Sequence, residues 1–259
     1  MAFMNIEYYS RALRRQTSFK LLIPNDPREG TEFDENAPLD TLFLLHGYTG
    51  NAGNWVPEYL CEKYRFAIVM PNGENSFYLN GLSAGHAFQT MVGEELVDYV
   101  RRTFRLANGR EHTFIAGLSM GGFGALHTAL AYPETFGRAV CLSSAFIQDN
   151  VRQMTPGFSD GFANFEYYRE CFGEPAALET SENDPKNQVM RLKKEEKFFP
   201  GIFMACGTED FLLRENREMH AFLSAEQVEH TYIEGPGIHD MVFWSKYIVK
   251  GIEWIYEEK

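Results

Sequence analysis

Apolar residues concentrate in short unbroken runs at 41–45, 66–70, 113–116, 139–142 and 201–206. Runs of that length with no polar face suit strands buried on both sides of a sheet. Between them the spacing changes. Leu96, Val97, Val100 and Phe104 recur at three- and four-residue steps, and Trp244, Ile248, Ile252 and Ile255 do the same near the end of the chain. Those spacings put apolar side chains on one face of a helix. A further run at 230–234, opened by His230, alternates as a half-buried strand does. Strands alternating with helices predict an α/β protein with a mainly parallel central sheet and helices on both faces.

The rhythm breaks only between about 146 and 200. There Phe158, Phe162, Phe165, Tyr167, Tyr168 and Phe172 are interleaved with Pro156, Gly157, Gly161 and Gly173. Inserted between two strands, this stretch is expected to lie over the carboxyl edge of the sheet as a small cap, either lining a pocket or forming an aromatic core of its own. No Ser- or Gly-rich linker and no internal repeat divides the chain, so residues 1–259 are read as one domain.

The most informative stretch is Gly117-Leu118-Ser119-Met120-Gly121. It follows the β-prone run at 113–116 and precedes a small-residue segment, 122–130, that reads as a helix. A sharp strand-to-helix turn strains its central residue and leaves no room for Cβ atoms two positions to either side. Glycines there meet that demand and leave the serine hydroxyl exposed at the strand end. Ser119 is the candidate nucleophile.

A serine hydroxyl needs a base, and the base an orienting acid. In this fold class the order is serine, acid, histidine, each at the carboxyl end of a later strand. Of the histidines after Ser119, His127 falls on the helix that the serine starts, His220 on a polar helical segment and His230 at a strand start. His239 sits in a loop between the last strand and the last helix, where the base belongs. The run at 201–206 ends in Gly207-Thr208-Glu209-Asp210. Asp210 is favoured as the acid over Glu209 because it abuts the next helix and its side chain is short, and Asp240 reads as a helix cap. The run at 41–45 leads into His46-Gly47-Tyr48-Thr49-Gly50, whose backbone, with Tyr48 ahead of Gly47, is expected to supply one oxyanion-hole amide; Met120 supplies the other. His46 is expected to brace this loop. Trp55 and Trp244 are candidate substrate-binding residues, and Tyr78 and His86 fall on loops at the same face.

These segments, with Asn5-Ile6-Glu7-Tyr8-Tyr9-Ser10, Val69-Met70-Pro71-Asn72 and Gly237-Ile238-His239-Asp240, make the chain similar to the esterase D-like group of α/β-hydrolases. It most resembles the small bacterial tributyrin esterases, and the likeness extends to carbohydrate esterase family 1, with its acetyl xylan and feruloyl esterases. The resemblance implies the α/β-hydrolase fold, a Ser119–Asp210–His239 triad and hydrolysis of short acyl esters, acetyl to butyryl, of small alcohols, phenols or sugars. It implies no cofactor, and relatives that form dimers or tetramers. Two departures stand out. Met241 replaces an aromatic common after the histidine, although Trp244 is kept. S-formylglutathione hydrolases carry a cysteine shortly after the oxyanion His-Gly, whereas this chain reads Thr49-Gly50-Asn51, so that thioesterase branch is the alternative and not the first reading. A non-catalytic binding protein on the same fold is the other alternative.

Charge narrows the partners. With 36 acidic against 24 basic side chains the net charge is −12, which argues against nucleic acid or an anionic membrane surface and leaves a small-molecule ester as partner. Arginines at 11, 14 and 15 and at 101, 102 and 105 read as solvated faces. Cys61, Cys141, Cys171 and Cys206 have no metal-site spacing, so no metal is expected, and they read as reduced core residues. No membrane-length apolar run and no signal-like start are present, and the expected location is the cytoplasm.

Overall fold

The computed structural model describes residues 1–26 and 38–257. In chain order its elements are β1 (Ala2–Ser10), β2 (Arg15–Ile23), β3 (Asp40–Leu45), α1 (Glu58–Tyr64), β4 (Phe66–Pro71), α2 (Phe88–Thr90), α3 (Leu96–Phe104), β5 (Thr113–Leu118), α4 (Met120–Ala131), β6 (Arg138–Leu142), α5 (Gln148–Arg152), α6 (Phe165–Phe172), α7 (Pro185–Lys194), β7 (Gly201–Gly207), α8 (Leu213–Ala225), β8 (Thr231–Gly235) and α9 (Met241–Glu257). The eight strands form one sheet in the order β1-β2-β4-β3-β5-β6-β7-β8. Neighbours from β4 to β8 run parallel, and the β1–β2 hairpin joins β4 antiparallel.

The apolar runs are strands because both their faces are covered. Along β3 successive side chains alternate between two cores: Phe43 and Leu45 pack with Val97, Leu126 and Leu223, whereas Leu42 and Leu44 pack with Leu60, Ile248 and Ile252. A period of two sends each residue to the opposite face, so a strand between two helical layers has no solvent-facing position, and the polar side chains of β3 are confined to its first two residues, Asp40 and Thr41. Helix α4 is buried from Met120 to Leu130. Its small residues let it run directly under the sheet, which is why it lacks the polar stripe of a surface helix.

The stretch from 146 to 200 divides between two tasks. Helix α7 places Val189 and Leu192 in the core beside Ala129 and Leu130, and the Arg191 guanidinium donates to the Leu130 carbonyl at 3.1 Å. It packs on α4 and not over the strand ends. Helix α6 and the turn before it lie nearer the carboxyl edge, where the Asn164 side chain caps the helix by accepting from the Tyr167 amide at 3.0 Å. Asp160 holds the turn shut, accepting from the Phe162 and Ala163 amides (2.9 and 3.0 Å) and from the Tyr168 hydroxyl (2.7 Å).

Candidate active site

The parallel strands all point their carboxyl ends the same way, so the loops after β3, β5, β7 and β8 meet on one edge of the sheet. They carry Tyr48, Ser119, Asp210 and His239 respectively.

Ser119 sits between β5 and α4 with φ 55° and ψ −120°, a left-handed conformation that an L-residue adopts only when its surroundings compel it. The compulsion is steric. A Cβ at Gly117 would stand 2.0 Å from the Gly121 carbonyl oxygen, and one at Gly121 would stand 2.5 Å from that of Leu45. The turn is pinned further by the Ser119 amide donating to Leu142 (2.9 Å) and by the Phe123 and Ala145 amides donating to the Ser119 carbonyl (3.1 and 3.0 Å).

His239 Nε2 lies 2.9 Å from Ser119 Oγ, and His239 Nδ1 lies 3.0 and 2.9 Å from the two carboxylate oxygens of Asp210. The Asp210 side chain is fully buried and also accepts from the Leu212 amide at 2.8 Å. Burial alone would push its pKa up. The hydrogen bonds from His239 and the Leu212 amide outweigh that and hold the carboxyl below its ordinary value. An ionised Asp210 accepts only, so Nδ1 carries the imidazole proton and Nε2 is left to accept from the serine hydroxyl. The three residues that sequence separates by up to 120 positions are hydrogen-bonded in line.

Glu209 does something different from its neighbour. Its carboxylate turns away from the imidazole and accepts from the Gly237 amide at 2.8 Å, while its own amide donates to the Gly237 carbonyl at 3.1 Å. The Gly237 hydrogen bond, with one from the Thr208 side chain, lowers the Glu209 pKa. The Thr208 amide adds a bond to the Gly235 carbonyl at 2.9 Å. The acid and histidine loops therefore run backbone against backbone. Gly207 is small because of this approach: a Cβ there would meet the Gly237 carbonyl oxygen at 2.2 Å. Asp240 caps α9, accepting from the Val242 and Phe243 amides at 3.0 Å each.

The loop after β3 is braced from below. The Gly73 amide donates to His46 Nε2 at 3.0 Å, which leaves Nδ1 to donate to the Gly47 carbonyl at 2.8 Å. Burial lowers the His46 pKa, in keeping with a neutral ring in both bonds. The buried Tyr78 hydroxyl donates to the His46 carbonyl at 3.0 Å. A tight turn follows, with Gly50 donating to Gly47 at 3.0 Å and Thr49 to the Asn75 side chain at 2.8 Å. Gly47 packs against the elbow: a Cβ on it would be 3.5 Å from that of Ser119. Met120 is the first residue of α4, and an amide at that position has no acceptor within its own helix.

Of the two tryptophans, Trp244 sets its ring edge-on to His239, centroids 4.9 Å apart at 88°, and is nearly buried. It supports the imidazole more than it offers a surface. Trp55 is half-buried against the apolar cluster that contains Leu118 and Trp244. Sequence reasoning missed Asn216 on α8. Fully buried, it donates to the Ser144 and Leu212 carbonyls (2.8 Å each) and accepts from the Ser144 amide (3.2 Å), tying the acid loop to the end of β6. Nothing in the local sequence separates it from the polar residues of α8 that face solvent. Phe211 was passed over as well: its ring lies 4.5 Å from that of His239.

Known proteins resemble the chain throughout. The esterase family model described as "Putative esterase" matches residues 10–255. An acetyl esterase of Caldicellulosiruptor saccharolyticus is 39% identical over 262 residues, covering 98% of this chain and 98% of that protein. Among solved structures, the substrate-bound fluorophosphonate-binding serine hydrolase FphF of Staphylococcus aureus superposes with a TM-score of 0.84 at 28% identity, and the S-formylglutathione hydrolase FrmB of the same organism with 0.81 at 28%; each comparison covers 98% of both chains. Among the described residues no helix is long and apolar enough to cross a membrane.

Proposed function

From the premise that this chain belongs to the esterase family of α/β-hydrolases, we propose that it is a serine carboxylesterase of short acyl esters working through Ser119, Asp210 and His239. The observation that carries the reading is the hydrogen-bonded line from the Asp210 carboxylate through His239 to Ser119 Oγ, at 2.9–3.0 Å throughout. His239 Nε2 takes the proton of Ser119 as Oγ bonds to the ester carbonyl carbon. The carbonyl oxygen, now negative, sits against the amides of Met120 and Tyr48, an arrangement in which each donor contributes about 3 kcal/mol. As the tetrahedral intermediate collapses, the carbon–alkoxy bond breaks and His239 returns its proton to the leaving oxygen. Water then attacks the acyl-Ser119 with His239 again as base, releasing the acid and restoring the hydroxyl. Asp210 keeps Nδ1 protonated and stabilises the imidazolium of both steps.

Acetyl esters are the first substrates to assay, since the similar protein of C. saccharolyticus is an acetyl esterase. Trp55 belongs to this reading as a wall of the substrate site, with Trp244 backing the imidazole, and the residues form one domain with the turn before α6 above the carboxyl edge. The four cysteines, all buried free thiols, support a reducing, cytoplasmic setting. The exposed Phe3 and Tyr9 on edge strand β1 support self-association. The test is a fluorophosphonate probe with Ser119→Ala. The folded wild type is expected to take one adduct on Ser119, and the variant to lose about 10³-fold or more in acetyl-ester turnover. Near-native activity in that variant removes the assignment. The likeness to FrmB supports a thioesterase as second reading, and S-formylglutathione assayed beside an acetyl ester decides between them.

A further inference from the structure

Large exposed apolar side chains gather around the histidine loop. Phe162 is 64% exposed, Phe211 61% and Val242 79%, with Ile238 and Met241 beside them in sequence. They come from three separate segments: the turn before α6, the acid loop, and the stretch from the His239 loop into the first turn of α9. Two of the rings are stacked, Phe162 on Phe211 with centroids 6.1 Å apart at 22°, and Phe211 continues onto His239 at 4.5 Å. The outer ring is held in place through its backbone. The Tyr48 hydroxyl donates to the Phe162 carbonyl at 3.1 Å, and Asp160 accepts from the Phe162 amide at 2.9 Å. An aromatic ring left in water, but fixed at both its amide and its carbonyl, is a surface prepared for a ligand.

Where this shelf lies determines which half of an ester it meets. The carbonyl oxygen belongs on the Met120 and Tyr48 side, and the alkoxy oxygen must lie within reach of His239 Nε2 to receive its proton. The Phe211 ring leans on the imidazole that makes that delivery. We infer that Phe162 and Phe211 form a binding shelf for the alcohol half of the ester, and that this half is an aryl or arylalkyl group. This rests on the carboxylesterase reading above. The shelf favours an aromatic alcohol over a sugar, because the two phenylalanine rings offer no hydrogen bonds to ring hydroxyls, whereas a flat apolar group stacks on them without leaving polar groups unpaired.

The test holds the acyl group constant. Benzyl acetate and ethyl acetate release alcohols of similar basicity, so their kcat/KM ratio reports contact with the alcohol half. In Phe162→Ala and Phe211→Ala that ratio is expected to fall about three- to tenfold, mainly through KM for the benzyl ester. Tyr48→Phe, which keeps the backbone amide but frees the turn, is expected to lower the ratio by a smaller factor. A ratio unchanged in both alanine variants overturns the shelf. So does a loss that falls on acetylated xylo-oligosaccharides instead, or a change in preference among ethyl acetate, butyrate and hexanoate, which would put the rings on the acyl side. Fluorophosphonate labelling of Ser119 is read in every variant: labelling with an unchanged ratio overturns the shelf alone, whereas no labelling of the wild type overturns the esterase reading beneath it.

Discussion

The two walls of the site are built in opposite ways. On the oxyanion side, β3, the elbow and α4 touch through backbone: Gly121 lies against the carbonyls of Leu45 and His46, and Gly47 against Leu118 and Ser119. Two buried side chains, His46 and Tyr78, fasten the loop from beneath. On the histidine side the contacts near the surface are rings in water, Phe162 on Phe211 on His239. The backbone-built wall holds amides at fixed points, which electrostatic stabilisation of a transition state requires. The ring-built wall is open and replaceable side by side, as selection among substrates requires. Chemistry and choice thus tolerate change differently in the two regions.

Asp210→Asn strikes where the walls meet. It preserves the shape but presents an amide to Nδ1, favouring the wrong tautomer, and a fall in kcat of about 10³ to 10⁴ is expected. Steady-state kinetics with an acetyl ester measure it; a loss under tenfold would refute the acid assignment. Gly121→Ala comes next and tests the backbone-built wall. Its Cβ must displace main-chain oxygens, so about 2 kcal/mol of stability and about 10²-fold in kcat are expected to be lost together, seen by denaturant titration and kinetics on the same sample. A fully active Gly121→Ala would show that this wall is looser than its contacts imply.

Glu209 gives a smaller effect. Removing its carboxylate in Glu209→Ala frees the Gly237 amide, and kcat is expected to fall about three- to tenfold. Glu209→Gln keeps an acceptor oxygen and is expected to restore most of that loss. Equal damage from both variants would mean that charge, and not the hydrogen bond, matters there. The last effect lies outside both walls and falls on stability, with the smallest change in turnover. His127 is fully buried, its Nε2 donating to the Glu182 carbonyl at 2.7 Å, and burial pushes its pKa down to about 4 from 6.5. The unfolded chain therefore binds the proton first as pH falls. Stability from this residue is complete above pH 6.5 and is lost progressively down to about pH 4, by about 3 kcal/mol in all. Comparing denaturation of wild type and His127→Gln across that window isolates the term; parallel pH profiles would show that the ring stays solvated.

Buried parallel strands were readable because two-faced burial leaves an apolar run after at most one or two polar residues at the strand start, as in β3, β5 and β7. The β1–β2 hairpin was not, since its exposed positions carry Phe3 and Tyr9 while lysine, threonine and glutamate interrupt it; an edge strand has one face and so a mixed pattern. Ser119 stood out because steric demands on a strained turn leave glycine as the only solution. Asp210 and Glu209 differ in role through the direction in which each side chain leaves the turn, which spacing does not encode. Helix α8 starts at Leu213, after a turn that Asp210 itself closes on the Leu212 amide, and not at Phe211. The stretch 146–200 was read as one unit because its aromatics share a composition, yet α7 packs against α4 while the Phe162 turn faces the site. Composition records how apolar a segment is and not which neighbour covers it.

The hydrogen bond between Ser119 and His239 joins partners 120 positions apart, and the loops around His239 are stitched to those after β7. On the proposed mechanism, no partly folded chain that lacks β8 can possess the base, because His239 follows that strand. During synthesis the elbow and the loop after β3 emerge long before the imidazole does, so on that mechanism the nascent protein is expected to carry an unactivated hydroxyl and to stay inert toward esters until the final strand docks. Recovery of turnover after dilution from denaturant therefore times the last long-range closure of the sheet, a slow event for contacts so distant along the chain.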